Sequence, residues 1–172
     1  MARAAVSCDP QFMAIIHRFK YAGKTRLAMP LGGMMLSAFM RHWGDEEVDG
    51  LLPVPLHSQK FRSRGFNQSY LLIQRWKTIA KTMQIPLPNL SIHTDVLIRT
   101  KGTKPQTGLG RAQRLKNIRD AFSVQSPEKI CGKKVLLVDD VYTTGATANE
   151  CARMLLKFGA ERVDVLTLAR AI

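Results

Sequence analysis

Residues 134–160 constrain the fold of this chain more than any other stretch. They comprise, in order, an apolar run (KVLLV), two adjacent acids (Asp139 and Asp140), a Thr/Gly turn and an amphipathic helix over 147–158. A short apolar run that is flanked by a glycine and by acids predicts a buried strand. Ligands of parallel sheets bind beyond the carboxyl ends of the strands. The acids and the turn are therefore predicted to line a binding site.

The turn has the composition of a phosphate-binding loop. Its residues are Thr143, Thr144, Gly145, Ala146 and Thr147. Because it opens a helix, backbone N–H groups and the positive end of the helix dipole converge there, and Gly145 can adopt a positive φ. Two carboxylates would repel a phosphate, so Asp139 and Asp140 are predicted to bind hydroxyl groups or a metal ion of the same ligand. The alternative is that both acids are merely solvated and that Thr147 is an ordinary helix cap.

Strand and helix patterns alternate along the chain, which indicates an α/β fold with a mainly parallel sheet. Short apolar runs predict strands over 51–55, 95–98, 121–124, 134–138 and 163–169. Apolar residues at helical spacing predict helices over 10–22, 27–43, 67–83, 111–117 and 147–158. We find no linker that would separate two domains. A single domain over residues 1–172 is therefore expected, with helices in its first 45 residues and with both tryptophans in its core.

The positive charge is concentrated in the middle of the chain. Residues 57–119 contain 13 Lys and Arg but a single acid, Asp95, and so carry +12 of the formal net charge of +13. Within them, RTKGTKPQTGLG (99–110) has three glycines and a proline, which is typical of an exposed mobile loop. This distribution predicts an anionic ligand, because a general nucleic-acid coat would spread the charge more evenly.

Several classes of protein are excluded by what the sequence lacks. The longest apolar stretch, residues 27–40, is 14 residues long and is broken by a proline and glycines, whereas a membrane span needs about 20. The first residues have no apolar core of secretory type, so a cytoplasmic protein without membrane insertion is expected. Cys8, Cys131 and Cys151 form no CxxC pair, which predicts buried reduced thiols and neither a disulfide framework nor a zinc site.

The segment VLLVDDVYTTGAT resembles the phosphoribosyl pyrophosphate (PRPP) motif of type I phosphoribosyltransferases. The resemblance implies the type I phosphoribosyltransferase fold, a mainly parallel sheet flanked by helices with a flexible loop. It also implies that Asp139 and Asp140 contact the 2- and 3-hydroxyls of ribose as the catalytic acid pair, and that residues 143–147 hold the 5-phosphate. Neither GxxxxGK[ST] nor GxGxxG occurs in the chain.

Three further segments resemble the ComF family, whose phosphoribosyltransferase-like members are named for bacterial competence and DNA uptake. They are HRFKYAGK (17–24), LLPVPLHSQKFRSRGFNQSYLL (51–72) and RTKGTKPQTGLGRAQRLKNIRDAF (99–122). Many members begin with a four-cysteine zinc ribbon, and this sequence has no such segment. The resemblance implies a phosphoribosyltransferase that displaces pyrophosphate from PRPP with a nitrogen nucleophile, from a nucleobase or amine that no local motif identifies.

The same resemblance assigns the basic middle of the chain to the leaving group. It implies a pyrophosphate turn over 55–58 and a flexible loop over 99–111 that closes over the substrate. The candidates to contact pyrophosphate are Pro55, Leu56, His57, Arg64, Arg99, Lys104, Gln106 and Arg111. His57 has a structural role as its alternative, and Asn67 and Gln68 are either ligand contacts or helix caps. Mg²⁺ is expected to arrive with PRPP near the acid pair, without direct protein ligands.

A second hypothesis belongs to a different functional class. The chain would then be a non-catalytic module that senses PRPP or a nucleotide and binds single-stranded DNA or a DNA-uptake partner. Its phosphate contacts would come from Arg62, Arg64, Arg111 and Arg114, and its affinity would fall steeply with salt. A homodimer is compatible with either hypothesis.

Overall fold

The computed structural model describes residues 1–21, 24–101 and 118–171. Several predictions lie outside these residues. They are residues 102–111 of the predicted flexible loop, the helix over 111–117, and the roles of Lys104, Gln106, Arg111 and Arg114.

A five-stranded parallel sheet forms the centre of the fold. Its strands are β1 (Ala2–Cys8), β2 (Gly50–Pro53), β3 (Ser91–Ile92), β6 (Lys134–Tyr142) and β7 (Arg162–Ala171), in the order β1-β7-β6-β2-β3. A separate antiparallel pair consists of β4 (Leu97–Arg99) and β5 (Phe122–Val124). The mainly parallel sheet predicted from the alternating pattern is thus confirmed.

Helices cover both faces of the sheet. They are α1 (Pro10–Tyr21), α2 (Ala28–Trp43), α3 (Ser58–Arg64), α4 (Gln68–Leu71), α5 (Trp76–Met83) and α6 (Ala146–Lys157). Short 3-10 turns cover Thr25–Leu27 and Pro127–Lys129. The predicted start of α1 is confirmed, because the Asp9 carboxylate accepts a hydrogen bond of 2.7 Å from the Phe12 amide. None of the described helices is both long and apolar enough to cross a membrane.

The core has two halves because successive residues of β6 point to opposite faces of the sheet. Leu136 and Val138 pack with α1, α2, α4 and α5. Val135 and Leu137 pack with α6 and the β4-β5 pair on the other face. Trp43 and Trp76 are both buried in the first half, as predicted from the sequence. The sheet therefore holds α1 and α6 on opposite sides of the carboxyl end of β6.

Some elements differ from the sequence prediction. Residues 2–8 form β1, which pairs with β7 as an edge strand. It is only partly buried, so it lacks an apolar pattern that would reveal it. The helix predicted over 67–83 is interrupted by a turn at 72–75, where Leu72 packs against α2. Residues 58–64 form a helix that was not predicted. Of the thiols predicted to be buried, Cys151 is buried but Cys131 is exposed.

We predict that Gly32→Ala destabilises the protein. A Cβ atom at Gly32 would lie 2.8 Å from the Leu72 carbonyl oxygen, which is backbone and cannot move away easily. The expected loss is about 1–3 kcal/mol in the free energy of unfolding, measured by urea denaturation. Gly33→Ala is the matched control, because a Cβ there meets its nearest neighbour, on Ile79, at 3.9 Å. That variant should gain about 0.5–1 kcal/mol from helix propensity, and equal effects of the two substitutions would contradict the packing described here.

Candidate functional site

A cavity of about 310 Å³ opens at the carboxyl ends of β2 and β6. Helices α1, α3, α4 and α6 and strand β4 all contribute to its walls. Its lining residues are Met13, Lys20, Tyr21, Val54, Pro55, Leu56, Lys60, Arg64, Gln68, Arg99, Asp139, Asp140, Val141, Thr143 and Thr147. The structure therefore brings the predicted acid pair, part of the Thr/Gly turn and part of the predicted pyrophosphate turn into one cavity.

The two carboxylates differ in their partners. Asp139 Oδ1 accepts hydrogen bonds from the Ser69 hydroxyl (3.0 Å) and from the Asp140 amide (2.9 Å). Asp140 is 4% exposed, and its Oδ1 lies 2.9 Å from the Lys20 ammonium nitrogen. Asp140 Oδ2 is buried and has no hydrogen-bond partner among the residues that the structure describes. A buried carboxylate oxygen in this state can accept a hydrogen bond from a ligand hydroxyl.

The environment of the acid pair shifts its titration. Burial, together with the adjacent charge of Asp140, raises the pKa of Asp139 to about 7 against the opposing effects of Lys20, the Asp140 amide and Ser69. Burial lowers the pKa of Lys20, but the charge and the hydrogen bond of Asp140 raise it further, so that the net shift is upward. Shifts of this kind cluster at functional sites, because binding and catalysis require charges in places where water is scarce.

The Thr/Gly turn continues directly from β6 into α6. Gly145 has φ 74°, a left-handed conformation that favours glycine, and any Cβ there would collide with the Tyr142 hydroxyl. The helix begins at Ala146, one residue earlier than predicted, and the Ala146 amide donates to Thr144 Oγ1 at 3.4 Å. Thr143 and Thr147 line the cavity, so the start of α6 faces the same space as the acid pair.

Four basic side chains surround the carboxylates: Lys20, Lys60, Arg64 and Arg99. Arg64 donates a hydrogen bond to Gln68 Oε1, and its guanidinium carbon lies 4.9 Å from the centroid of the Tyr21 ring. The Arg99 guanidinium carbon lies 5.4 Å from the centroid of the Phe122 ring. Burial, followed by the charges of Arg99, Arg64 and Lys20, lowers the pKa of Lys60. The mutual repulsion of these cations indicates that the cavity favours an anionic ligand.

The predicted pyrophosphate turn is only partly in the cavity. Pro55 and Leu56 line it, whereas His57 caps α3, with Nδ1 accepting a hydrogen bond from the Gln59 amide at 3.4 Å. Asn67 caps α4 and also donates from Nδ2 to the Val54 carbonyl at 3.0 Å. The helix-cap alternative for Asn67 is thus confirmed, and the same side chain ties α4 to the end of β2.

Sequence reasoning missed several residues that contact or line the site. They are Lys20, Tyr21, Lys60 and Ser69, whereas Gln68, which was predicted as a ligand contact or a helix cap, lines the cavity. No local motif distinguishes Lys20 from other lysines near the end of an amphipathic helix. Its proximity to Asp140, 120 residues away in the chain, is set by the packing of α1 on the sheet.

The parallel sheet, with an acid pair and a Thr/Gly turn at the end of one strand, defines a domain of the phosphoribosyltransferase class. A family model described as "Phosphoribosyl transferase domain" matches residues 79–172. The "DNA utilization protein YhgH" of Escherichia coli O157:H7 is 31% identical over 169 residues, which cover 95% of this chain and 69% of that protein. "Competence protein F" of Haemophilus influenzae is 34% identical over 164 residues, which cover 91% of this chain and 67% of that protein.

A third relative, "Competence protein ComFC" of Bacillus subtilis, is 29% identical over 98% of this chain and 64% of its own length. Among solved structures, that of TT1426 from Thermus thermophilus aligns with 83% of this chain and 82% of its own at a TM-score of 0.41 and 11% identity. The chain belongs to the phosphoribosyltransferase family and, within it, to the ComF-like proteins.

We predict that Asp139→Asn stabilises the protein more at pH 8 than at pH 5. In the unfolded chain this carboxyl ionises near pH 3.8, but in the folded protein near pH 7. The folded state therefore holds an extra proton between these values, and its stability falls as the pH rises through this window. An asparagine keeps an oxygen that accepts from Ser69 and from the Asp140 amide, and it removes the buried charge.

The expected gain at pH 8 exceeds that at pH 5 by about 1–3 kcal/mol in the free energy of unfolding. Urea denaturation at the two pH values measures it. Asp45→Asn, at an exposed site, is the control, and it should change the free energy of unfolding equally at both pH values. A gain for Asp139→Asn that is independent of pH would show that burial does not hold the Asp139 carboxyl in its neutral form.

Proposed function

We propose that this chain binds PRPP as its Mg²⁺ complex and transfers the phosphoribosyl group to a nitrogen nucleophile, with release of pyrophosphate. The observation that carries the proposal is the shared cavity, in which the acid pair, the start of α6 and four basic side chains face one another. Each of these three components suits one part of PRPP. The volume of this cavity, about 310 Å³, lies within the range of small-molecule sites.

The acid pair suits the ribose ring. Asp140 Oδ2 is a buried acceptor without a partner among the described residues, and Asp139 lies beside it in the same cavity. Two neighbouring carboxylates match the two vicinal hydroxyls of ribose, each of which donates one hydrogen bond. Such bonds, which involve a charged acceptor, are worth about 1.5–3 kcal/mol each. They would hold the anomeric carbon at a defined distance from the basic side chains.

The start of α6 and the basic side chains suit the two phosphate-bearing ends. Thr143, Thr147 and the N-terminus of α6 would hold the 5-phosphate. Lys60, Arg64 and Arg99 would stabilise the negative charge that develops on pyrophosphate as the bond between the anomeric carbon and oxygen breaks. The nucleophile's nitrogen then forms the new bond to that carbon and releases its proton. Electrostatic stabilisation of a departing anion is a large contribution to catalysis of this type.

Mg²⁺ is part of the substrate in this proposal. Among the described residues, no group of three or more His, Cys, Asp or Glu side chains could hold a metal ion. The acid pair offers two carboxylates, and one of them already contacts Lys20. The residues present therefore suit a metal that arrives with the pyrophosphate oxygens rather than one that the protein holds by itself.

We predict that Asp139→Asn with Asp140→Asn weakens the binding of Mg²⁺-PRPP by about 100-fold or more, since two charge-assisted hydrogen bonds are lost. Isothermal titration calorimetry measures the affinity, and circular dichroism checks the fold. Asp45→Asn, at an exposed position, is the control. Unchanged affinity in the double variant would overturn the assignment of the ribose site. Release of pyrophosphate from PRPP in the presence of nucleobases or ammonia tests turnover.

A second cavity favours a second activity, the binding of single-stranded DNA. It has a volume of about 890 Å³, adjoins the first cavity at Pro55, Leu56 and Arg99, and is lined by aromatic and basic side chains that include Phe61, Phe66, Tyr70 and Arg62. Phe61 is 48% exposed. Exposed aromatic rings next to a cation suit nucleobases and phosphates. The relatives named for DNA utilization and competence are consistent with this activity.

Phe61→Ala and Arg62→Ala are each expected to weaken the binding of a fluorescent oligothymidylate about 5- to 10-fold. Arg62→Ala should also reduce the slope of log affinity against log salt by about 0.7. Arg75→Ala, which removes an exposed charge away from the cavity, should leave binding unchanged. Fluorescence anisotropy over a salt series measures all three variants. Binding that is absent or insensitive to salt would remove this second activity.

A further inference from the structure

Lys20 reaches the acid pair from the last turn of α1. Its ammonium nitrogen lies 2.9 Å from Asp140 Oδ1, and the two side chains are 21% and 5% exposed. The neighbouring Phe19 is fully buried, with its ring centroid 6.0 Å from that of Phe66. Because Phe19 anchors this turn in the core, the position of Lys20 is set by packing as well as by charge. The contact is therefore unlike an ion pair between two long, freely moving surface side chains.

The charge of Lys20 is needed because two adjacent carboxylates lie at the end of one strand. Buried like charges repel each other and are costly unless cations or hydrogen bonds compensate them. Asp139 receives hydrogen bonds from Ser69 and from the Asp140 amide. Asp140 has Lys20 on Oδ1, whereas its Oδ2 has no hydrogen-bond partner in the part of the chain that the structure describes. Lys20 thus compensates one oxygen of Asp140 and leaves the other for a ligand.

We infer that Lys20 is the built-in counter-cation of the acid pair: it occupies one of the two Asp140 oxygens that a divalent metal ion would bind, and its charge thereby reserves the pair for hydroxyl donors. Mg²⁺ and Mn²⁺ prefer carboxylate oxygens, and two neighbouring carboxylates without Lys20 would attract them. An ammonium group within hydrogen-bond distance repels a second cation from the same oxygen. Lys20 therefore determines which ligands the acid pair can bind.

Because of Lys20, the acid pair interacts differently with hydroxyl-bearing ligands and with metal ions. A sugar phosphate with vicinal hydroxyls binds the acid pair without a metal, whereas a metal that accompanies a pyrophosphate group is held by that group. The part that concerns sugar phosphates rests on the proposed function. The part that concerns metal ions depends only on Lys20, Asp139 and Asp140.

The first experiment uses the metal alone. Mn²⁺ is titrated into the full chain and followed by electron paramagnetic resonance. The proteins are the wild type, Lys20→Met, Lys20→Arg, Asp140→Asn and the double variant Lys20→Met with Asp140→Asn. Methionine has a similar length but no charge, whereas arginine restores the cation. We expect Lys20→Met to bind Mn²⁺ about tenfold more tightly than wild type, and we expect both Lys20→Arg and the double variant to return to the wild-type affinity.

Two results would overturn the inference. One is an increase in Mn²⁺ affinity in Lys20→Met that persists when Asp140 is also replaced, since the new site would then lie elsewhere. The other is Mn²⁺ binding by the wild type that Asp140→Asn abolishes, since Asp140 would then bind metal despite Lys20. The second comparison does not require any Lys20 variant to fold, so it stands even where Lys20→Met is unstable.

The second experiment titrates ribose 5-phosphate with and without Mg²⁺ by calorimetry. We expect equal affinities in the wild type and about tenfold tighter binding with Mg²⁺ in Lys20→Met. A wild type that requires Mg²⁺ for this ligand would contradict the inference. Absence of ribose 5-phosphate binding in every variant, together with the expected Mn²⁺ results, would instead contradict the proposed function and leave the role of Lys20 standing.

Discussion

The constraint on which the site depends is the pair of carboxylates that are adjacent in the chain and lie near the carboxyl end of β6. Their mutual repulsion and their loss of water must be offset by other groups. The fold supplies these groups from separate elements: Ser69 from α4, Lys20 from α1 and the Asp140 amide from β6 itself. The acid pair can therefore exist only where three elements of the tertiary structure meet.

The same meeting point determines the shape of the cavity. Asn67 caps α4 and donates to the Val54 carbonyl, while the Val54 amide donates to the Val138 carbonyl at 2.8 Å. These bonds fix the turn after β2 against both β6 and α4. On the other side, Phe19 packs against Phe66 and holds the end of α1 nearby. These contacts fix the positions of the cavity walls on both sides of the carboxylates.

The charges of the cavity divide it into regions of different chemistry. The carboxylates lie among four basic side chains, and Lys20 is the one that makes a close ion pair with Asp140. Lys60, Arg64 and Arg99 surround the remaining space, and the larger aromatic cavity begins where Pro55, Leu56 and Arg99 are shared. The first cavity thus combines carboxylate oxygens with cations, and a more apolar surface adjoins it.

The sequence was sufficient to predict a parallel α/β fold, the strand β6, the cap at Asp9 and the turn at Gly145. These features depend on the spacing of apolar residues, on capping side chains and on glycine, all of which act over a few residues of the chain. Three features were not predictable in this way: the edge strand β1, the break in the helix over 67–83, and the placement of Ser69 and Lys20 beside the acid pair. Each depends on a contact between distant segments: β1 with β7, Leu72 with α2, and α1 or α4 with the end of β6. The sequence alone determined that an acid pair and a Thr/Gly turn follow one buried strand. Only the tertiary structure decided which side chains compensate the charge of the acid pair, since that compensation acts through space between segments that sequence patterns do not connect.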